Sequence, residues 1–254
     1  MNKISISENR DYAIPCIYNI NGTEKQVCVV IHGFGSHKES PTAKMMVENL
    51  PKSNIGAIAF DFPAHGESDA DGRQLRIASC VDDLAEVTRT AESLAPNAEI
   101  VYFASSYGAY IVLIYLAKLA KERNEKPYVF LRSAAINMPG VVREGLTAEQ
   151  KTSLENNGEF TLTEEEGYTR ALIITQGFID DLECHDVFNM WDKDIAHVNM
   201  IHGDADEVIL YNDAKAFAEK FNVPMIVIPN GDHQLSLQGM PEMVLKAAIE
   251  FFAH

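Results

Sequence analysis

Ser106 occupies a setting suited to nucleophilic catalysis. The segment Phe103-Ala104-Ser105-Ser106-Tyr107-Gly108 falls where an apolar run gives way to a helical pattern. A serine on so sharp a strand-to-helix turn is exposed for attack, and the residues two places to either side must be small if the helix is to clear the strand. Ala104 and Gly108 meet that need around Ser106. Around Ser105 the same positions hold Phe103 and Tyr107, which are too bulky. A serine nucleophile also needs a base, a group that orients the base, and N–H donors for the developing oxyanion. Four other segments carry suitable residue types: His32-Gly33-Phe34-Gly35, Asp61 to Ser68 (Asp-Phe-Pro-Ala-His-Gly-Glu-Ser), His202 to Val208 (His-Gly-Asp-Ala-Asp-Glu-Val) and Gly231-Asp232-His233.

The elements that must position these segments alternate along the chain. Ile14–Ile20 reads as a strand, Asn21-Gly22 as a hairpin turn, and Gln26–Ile31 as the next strand. Pro41–Leu50 is helical, Ile55–Phe60 is an almost wholly apolar strand, and Ile77–Leu94 is an amphipathic helix with Val81, Leu84, Val87 and Leu94 at helical spacing. Strands follow at 99–104 and 128–136, separated by an apolar helix at 107–120. After an irregular stretch the pattern resumes as strand 198–202, helix 212–221, strand 225–229 and helix 241–252. Buried strands alternating with helices predict an α/β fold, a mostly parallel sheet with helices on both faces.

Sixty irregular residues are too many for a plain loop, so 137–196 reads as an inserted cap within one domain spanning 1–254. The cap holds 13 acidic residues against four basic ones, 9 of the 16 net negative charges. The plain account of that excess is a solvated helical surface; repulsion of anionic substrates is the sharper alternative.

On the four segments the chain resembles the α/β-hydrolase superfamily, and in its whole layout small bacterial carboxylesterases, including feruloyl and cinnamoyl esterases. The Asp61–Ser68 segment is similar to the family's Asp-x-x-Gly-His-Gly-x-Ser loop, with Ala64 in place of the usual glycine; this makes Asp61 and His65 turn-stabilising. His202–Val208 is similar to its His-Gly-x-x-Asp-x-x-Val pattern, which implies Asp206 as the acid. Neighbouring carboxylates, or Asp180 or Asp181, remain alternatives. Gly231-Asp232-His233 occupies the place of the family's Gly-x-His, which implies His233 as the base. His32 is a lesser candidate, and the histidines at 37, 185, 197 and 254 fit neither the order nor the loop. The order Ser106, Asp206, His233 is the one characteristic of this fold. The His-Gly turn implies the Phe34 and Tyr107 amides as oxyanion donors.

The resemblance implies hydrolysis of a carboxylic ester with a modest acyl or aryl-acyl part through an acyl-enzyme on Ser106. The same three residues acting on a thioester, amide or carbon–carbon bond, and a non-catalytic ligand-binding relative, are the alternatives. Phe34, Phe178 and Trp191 are candidates for lining the substrate pocket. A formal charge of −16 argues against nucleic acid and anionic membranes as partners and mildly disfavours strongly anionic substrates. No paired-Cys, HExxH, GxGxxG or Walker spacing is present, so neither a metal nor another cofactor is expected. The amino-terminal residues lack the apolar run of a signal peptide, and no run reaches the ~18 apolar residues of a membrane span. Cys28 and Cys80 lie in apolar runs and read as reduced, buried thiols. These features predict a cytoplasmic protein.

Overall fold

A computed structural model describes residues 1–7, 11–121 and 126–253; His254 lies outside them. Eight strands form one sheet: β1 (Asn2–Ile6), β2 (Ile14–Asn19), β3 (Gln26–Ile31), β4 (Ile55–Phe60), β5 (Glu99–Ser105), β6 (Tyr128–Arg132), β9 (His197–Gly203) and β10 (Met225–Ile228). Their order across the sheet is β1-β2-β4-β3-β5-β6-β9-β10. From β4 to β10 every pairing is parallel, while β2 runs antiparallel to both β1 and β4.

Every residue of β4, and all of β3 after Gln26, is buried, as expected of strands covered on both faces. Helices α2 (Ile77–Leu94) and α3 (Tyr107–Leu119) pack on one face, with Leu84, Val87, Tyr110 and Ile114 in its core. Helices α1 (Pro41–Asn49) and α9 (Met240–Phe252) cover the other, with Met46, Phe103, Phe130 and Phe252. Helix α8 (Tyr211–Phe221) links β9 to β10. Pro41 starts α1 behind the Ser40 side chain, which accepts from the Ala43 amide.

Chain order and spatial order part at β3. The chain steps from β3 to β4 on one side, then crosses back to β5 on the other. Such a reversal opens a crevice beyond the carboxyl ends of the two strands, where ligands of open α/β sheets bind.

Two expectations need correction. Asn21-Gly22 does not close a hairpin, because β4 lies between β2 and β3. Gly22 does turn the chain, with φ +88°. The buried Glu24 carboxylate takes the Asn21 and Gly22 amides at 2.6 and 2.8 Å, which ties the turn to itself. The hairpin partner of β2 is β1, which has one buried residue in five and no apolar signature. The strand expected over 128–136 stops at Arg132, because Ser133 adopts φ 46° and the Ala135 amide donates to the Ser106 carbonyl.

The stretch 137–196 holds α4 (Met138–Gly145), α5 (Ala148–Asn157), α6 (Gln176–Glu183), α7 (Val187–Met190) and a two-stranded hairpin, β7 (Glu159–Leu162) with β8 (Leu172–Thr175). It lies against α3, whose residues 107–117 are all buried. The Tyr110 hydroxyl reaches the Leu182 and His185 carbonyls at 3.1 and 2.7 Å. Cys16, Cys28 and Cys80 are buried, Cys184 is exposed, and all four are free thiols. Among the described residues no helix is long and apolar enough to cross a membrane.

Candidate active site

Ser106 sits between the end of β5 and the start of α3 with φ 52° and ψ −119°. Left-handed backbone at a residue bearing a Cβ costs on the order of 1–3 kcal/mol and persists only where surroundings enforce it. They do so here. The Ser106 amide donates to the Arg132 carbonyl at 2.9 Å, and its carbonyl accepts from Ala109 and Ala135. A Cβ on Gly108 would lie 2.5 Å from the His32 carbonyl oxygen, so only glycine lets α3 begin this close to β3.

The His233 imidazole bridges the other two candidates. Its Nε2 lies 3.1 Å from Ser106 Oγ, and its Nδ1 lies 2.8 Å from Asp206 Oδ2. An acceptor at Nδ1 fixes the proton there and leaves the Nε2 lone pair facing the serine. Asp206 is held in turn. Its Oδ1 accepts from the Val208 and Ile209 amides at 2.9 and 2.8 Å, and Oδ2 lies 3.2 Å from His202 Nε2. Burial works against the charge of this carboxyl, but hydrogen bonds from His202 and His233 hold it well below the usual carboxylate range.

The loops bearing Asp206 and His233 meet through two glycines. The Ala205 amide donates to the Gly231 carbonyl at 3.1 Å. A Cβ on Gly203 would lie 2.1 Å from that carbonyl oxygen, so the loops touch backbone to backbone.

The His32-Gly33-Phe34 turn closes over the serine. A Cβ on Gly33 would stand 3.1 Å from Ser106 Cβ and 3.7 Å from its Oγ, so the turn that leads into Phe34 passes directly against the candidate nucleophile. Among the described residues neither the Phe34 nor the Tyr107 amide has a protein acceptor. His32 serves the turn: Nδ1–H donates to the Gly33 carbonyl at 2.7 Å and Nε2 accepts from Phe62 at 3.1 Å. Its burial lowers its pKa to about 4, so it stays neutral at physiological pH.

Asp61 and His65 likewise hold backbone. The Asp61 carboxylate takes the Lys38 and Glu67 amides and the Lys38 ammonium, at 2.7, 2.9 and 2.9 Å. His65 donates to the Pro63 carbonyl, and burial pushes it down to about 3. Ala64, where the family pattern has glycine, has φ 63°, so the position does require left-handed backbone.

A cavity of about 440 Å³ opens onto Ser106 and His233. Phe34 lines it, but Phe178 and Trp191 do not. Phe178 is buried behind Phe34, stacked at 6.0 Å, and Trp191 packs against Phe217 at 6.1 Å. Both are large apolar rings consumed by packing, which sequence pattern does not separate from pocket lining. The wall is formed instead by the first turn of α1, the start of α9, Glu166–Thr169, and Arg132. Arg132 was legible as a charge closing the apolar run Tyr128–Leu131; the α1 and α9 contacts carry no local signal. His202 also touches the acid, although its segment pointed only to Asp206.

Sheet order and elbow define an α/β hydrolase. Residues 22–154 match the model of the family described as serine aminopeptidase, S33, and the chain belongs to that family. Among solved structures it is similar to the ferulic acid complex of Est1E from Butyrivibrio proteoclasticus, with 21% identity and TM-score 0.81 over 99% of this chain and 100% of that one. It is also similar to the mouse alpha/beta hydrolase domain-containing protein 10 (18% identity, TM-score 0.78, 100% and 99% covered). The Pyrococcus furiosus esterase Pf2001 is a further similar structure (19%, 0.71, 99% and 91%). No curated protein matches the chain by sequence.

Proposed function

We propose that this α/β hydrolase is a serine-dependent carboxylesterase acting through an acyl-enzyme on Ser106. One observation carries the reading: the continuous chain from Ser106 Oγ through His233 to Asp206, at 3.1 and 2.8 Å, at the mouth of a cavity. His233 takes the Ser106 proton as Oγ attacks the acyl carbonyl. Asp206 keeps the imidazole in the productive tautomer and stabilises the imidazolium. The Phe34 and Tyr107 amides receive the oxyanion, and having no protein acceptor they need not break a bond to do so. His233 then returns the proton to the leaving alcohol, and a second cycle with water releases the acid.

A cavity of about 440 Å³ is within the range of small-molecule sites, roughly 300–1,000 Å³. The similar folds of an esterase and of a protein holding ferulic acid favour an ester over other acyl compounds. On this reading the partner is a small-molecule ester; the cytoplasm remains the compartment proposed from the sequence.

A fluorophosphonate should label Ser106, and His233→Ala should block the labelling. A panel of p-nitrophenyl and hydroxycinnamoyl esters beside thioesters and amides should show turnover on the esters. Turnover on amides or thioesters alone would move the scissile bond. Saturable binding with neither labelling nor turnover would mark a binding protein.

A further inference from the structure

Arg132 is a buried cation with no carboxylate in salt-bridge contact among the described residues. It closes β6, is only 7% exposed, and lines the cavity that holds Ser106. Among the described residues its guanidinium makes one hydrogen bond, from Nη2 to the Gln234 carbonyl. A guanidinium has five donors. The carboxylates whose charge reaches it, Asp232 and Asp206, are engaged elsewhere. Asp232 accepts from the Ser236 amide and hydroxyl, and Asp206 serves His233, His202 and two amides. Burial lowers Arg132 only to about 10, so it stays charged at neutral pH.

The surroundings make a pocket of this place. Ser105 pairs with Arg132 across β5 and β6, and strand alternation puts Phe103, Ser105 and Arg132 on the sheet face covered by α1 and α9. Val30, Met45, Leu235 and Val244, in or against the core on that same face, line the cavity that Arg132 shares with Ser106 and give it an apolar lobe. The one carboxylate in the cavity wall, Glu166, is bound to the Thr163 amide and hydroxyl. An unpaired buried charge is costly to a fold, and a planar carboxylate matches the fork of an arginine.

We propose that this lobe receives a carboxylate carried on the substrate, with Arg132 as its partner, so that the preferred substrates are esters bearing a free acid group. The inference rests on the esterase reading of Ser106. It also separates the local field from the global one: a chain of net charge −16 keeps a buried cation beside its candidate nucleophile.

The test compares matched pairs that differ only in that charge. Mono-p-nitrophenyl succinate and glutarate are set against their methyl esters, and 3- and 4-acetoxybenzoate against theirs, so that both sides of the ester are probed. In the wild-type protein kcat/KM should favour the acid in one series by about tenfold to a hundredfold, as expected for charge-assisted hydrogen bonds. Arg132→Met should bring that ratio close to one, and Arg132→Lys should retain part of it. Loss of the Gln234 contact alone would slow both members alike and leave the ratio unmoved, which overturns the proposal. So does a wild-type ratio near one in both series. Met45→Glu, which leaves Arg132 in place and adds a carboxylate to the lobe, should collapse the same ratio; it serves if the Arg132 variants melt early. If no ester in either series is turned over, the esterase reading fails. The lobe is then judged by calorimetric titration of the Ser106→Ala protein with monomethyl succinate and 4-acetoxybenzoate. Binding that disappears with Arg132→Met upholds it, and absence of binding overturns it.

Discussion

Gly203 offers a test of the site through geometry alone, since its side chain has no chemistry to lose. A Cβ at this position would stand 2.1 Å from the Gly231 carbonyl oxygen, whereas real Cβ contacts stay above 3.0 Å. In Gly203→Ala the two loops must therefore part by about 0.9 Å. The atom that moves is the acceptor of the Ala205 amide, one residue before Asp206 and two residues before His233 on the facing loop. Displacement of about 1 Å at a catalytic constellation costs roughly 10²-fold. Overpacking of this kind costs about 1–3 kcal/mol of stability, or roughly 2–10 °C in melting temperature for a chain of this size. The assay is kcat/KM on p-nitrophenyl butyrate together with a thermal melt. The expected outcome is a folded protein, melting a few degrees early, with a hundredfold loss that lies mainly in kcat. Activity within threefold of wild type and an unchanged melt would refute the account of how these loops hold Asp206 and His233 in line.

Other substitutions report on single contacts. Asp206→Asn keeps an acceptor for the Val208 and Ile209 amides but presents the wrong partner to His233 Nδ1; turnover should fall about 10⁴-fold with the melt little changed. Ser106→Ala should cost about 10⁴–10⁶ in turnover, while Ser105→Ala should leave most of it, as measured by initial rates on the same ester. Lys38→Met removes the ammonium from the fully buried Asp61 carboxylate and should destabilise by about 3–5 kcal/mol in denaturant titration. His32 and His65 titrate near pH 6.5 when unfolded and only near about 4 and about 3 when folded. The unfolded chain therefore binds their protons first. Stability is full above pH 6.5 and falls by about 1.4 kcal/mol per pH unit for each histidine as the pH drops towards 4. Denaturant titrations between pH 7 and pH 4.5 should show that slope, and His65→Asn should halve the part due to the pair.

How much was legible in the sequence depended on whether a residue's job is local. Strands β3, β4 and β5 and helix α2 were legible to within a residue or two, because complete burial imposes unbroken apolar runs and one-sided burial imposes a 3.6-residue period. The elbow was legible because Ala104 and Gly108 are small for a steric reason found within five residues. Strand partnership was not: Asn21-Gly22 encodes a turn, but which strand lies beside β2 is decided by β4, some 40 residues on. The same limit hid most of the cavity wall. Phe178 and Trp191 are apolar for packing against Phe34 and Phe217, and the residues that do line the cavity come from α1 and α9, far apart in sequence. Arg132 was passed over within the run read as a strand, and that its carboxylate neighbours are taken is knowable only in three dimensions.

The segment from Tyr168 to Arg170 has a consequence for how this scaffold can change. Thr169 donates to the Gly35 carbonyl at 3.0 Å, Arg170 to the Gly66 and Ser68 carbonyls at 3.3 and 2.7 Å, and the Tyr168 ring fills the space a side chain on Gly35 would need. The stretch 137–196 thus grips the turn that carries the Phe34 amide, so part of the cavity wall and the proposed oxyanion donor share one mechanical part. On the proposed reading, a change in this stretch that admits a new substrate also shifts the turn bearing the oxyanion donor, which couples substrate range to rate. An engineer replacing residues 137–196 on this sheet has to replace residues 32–36 with them.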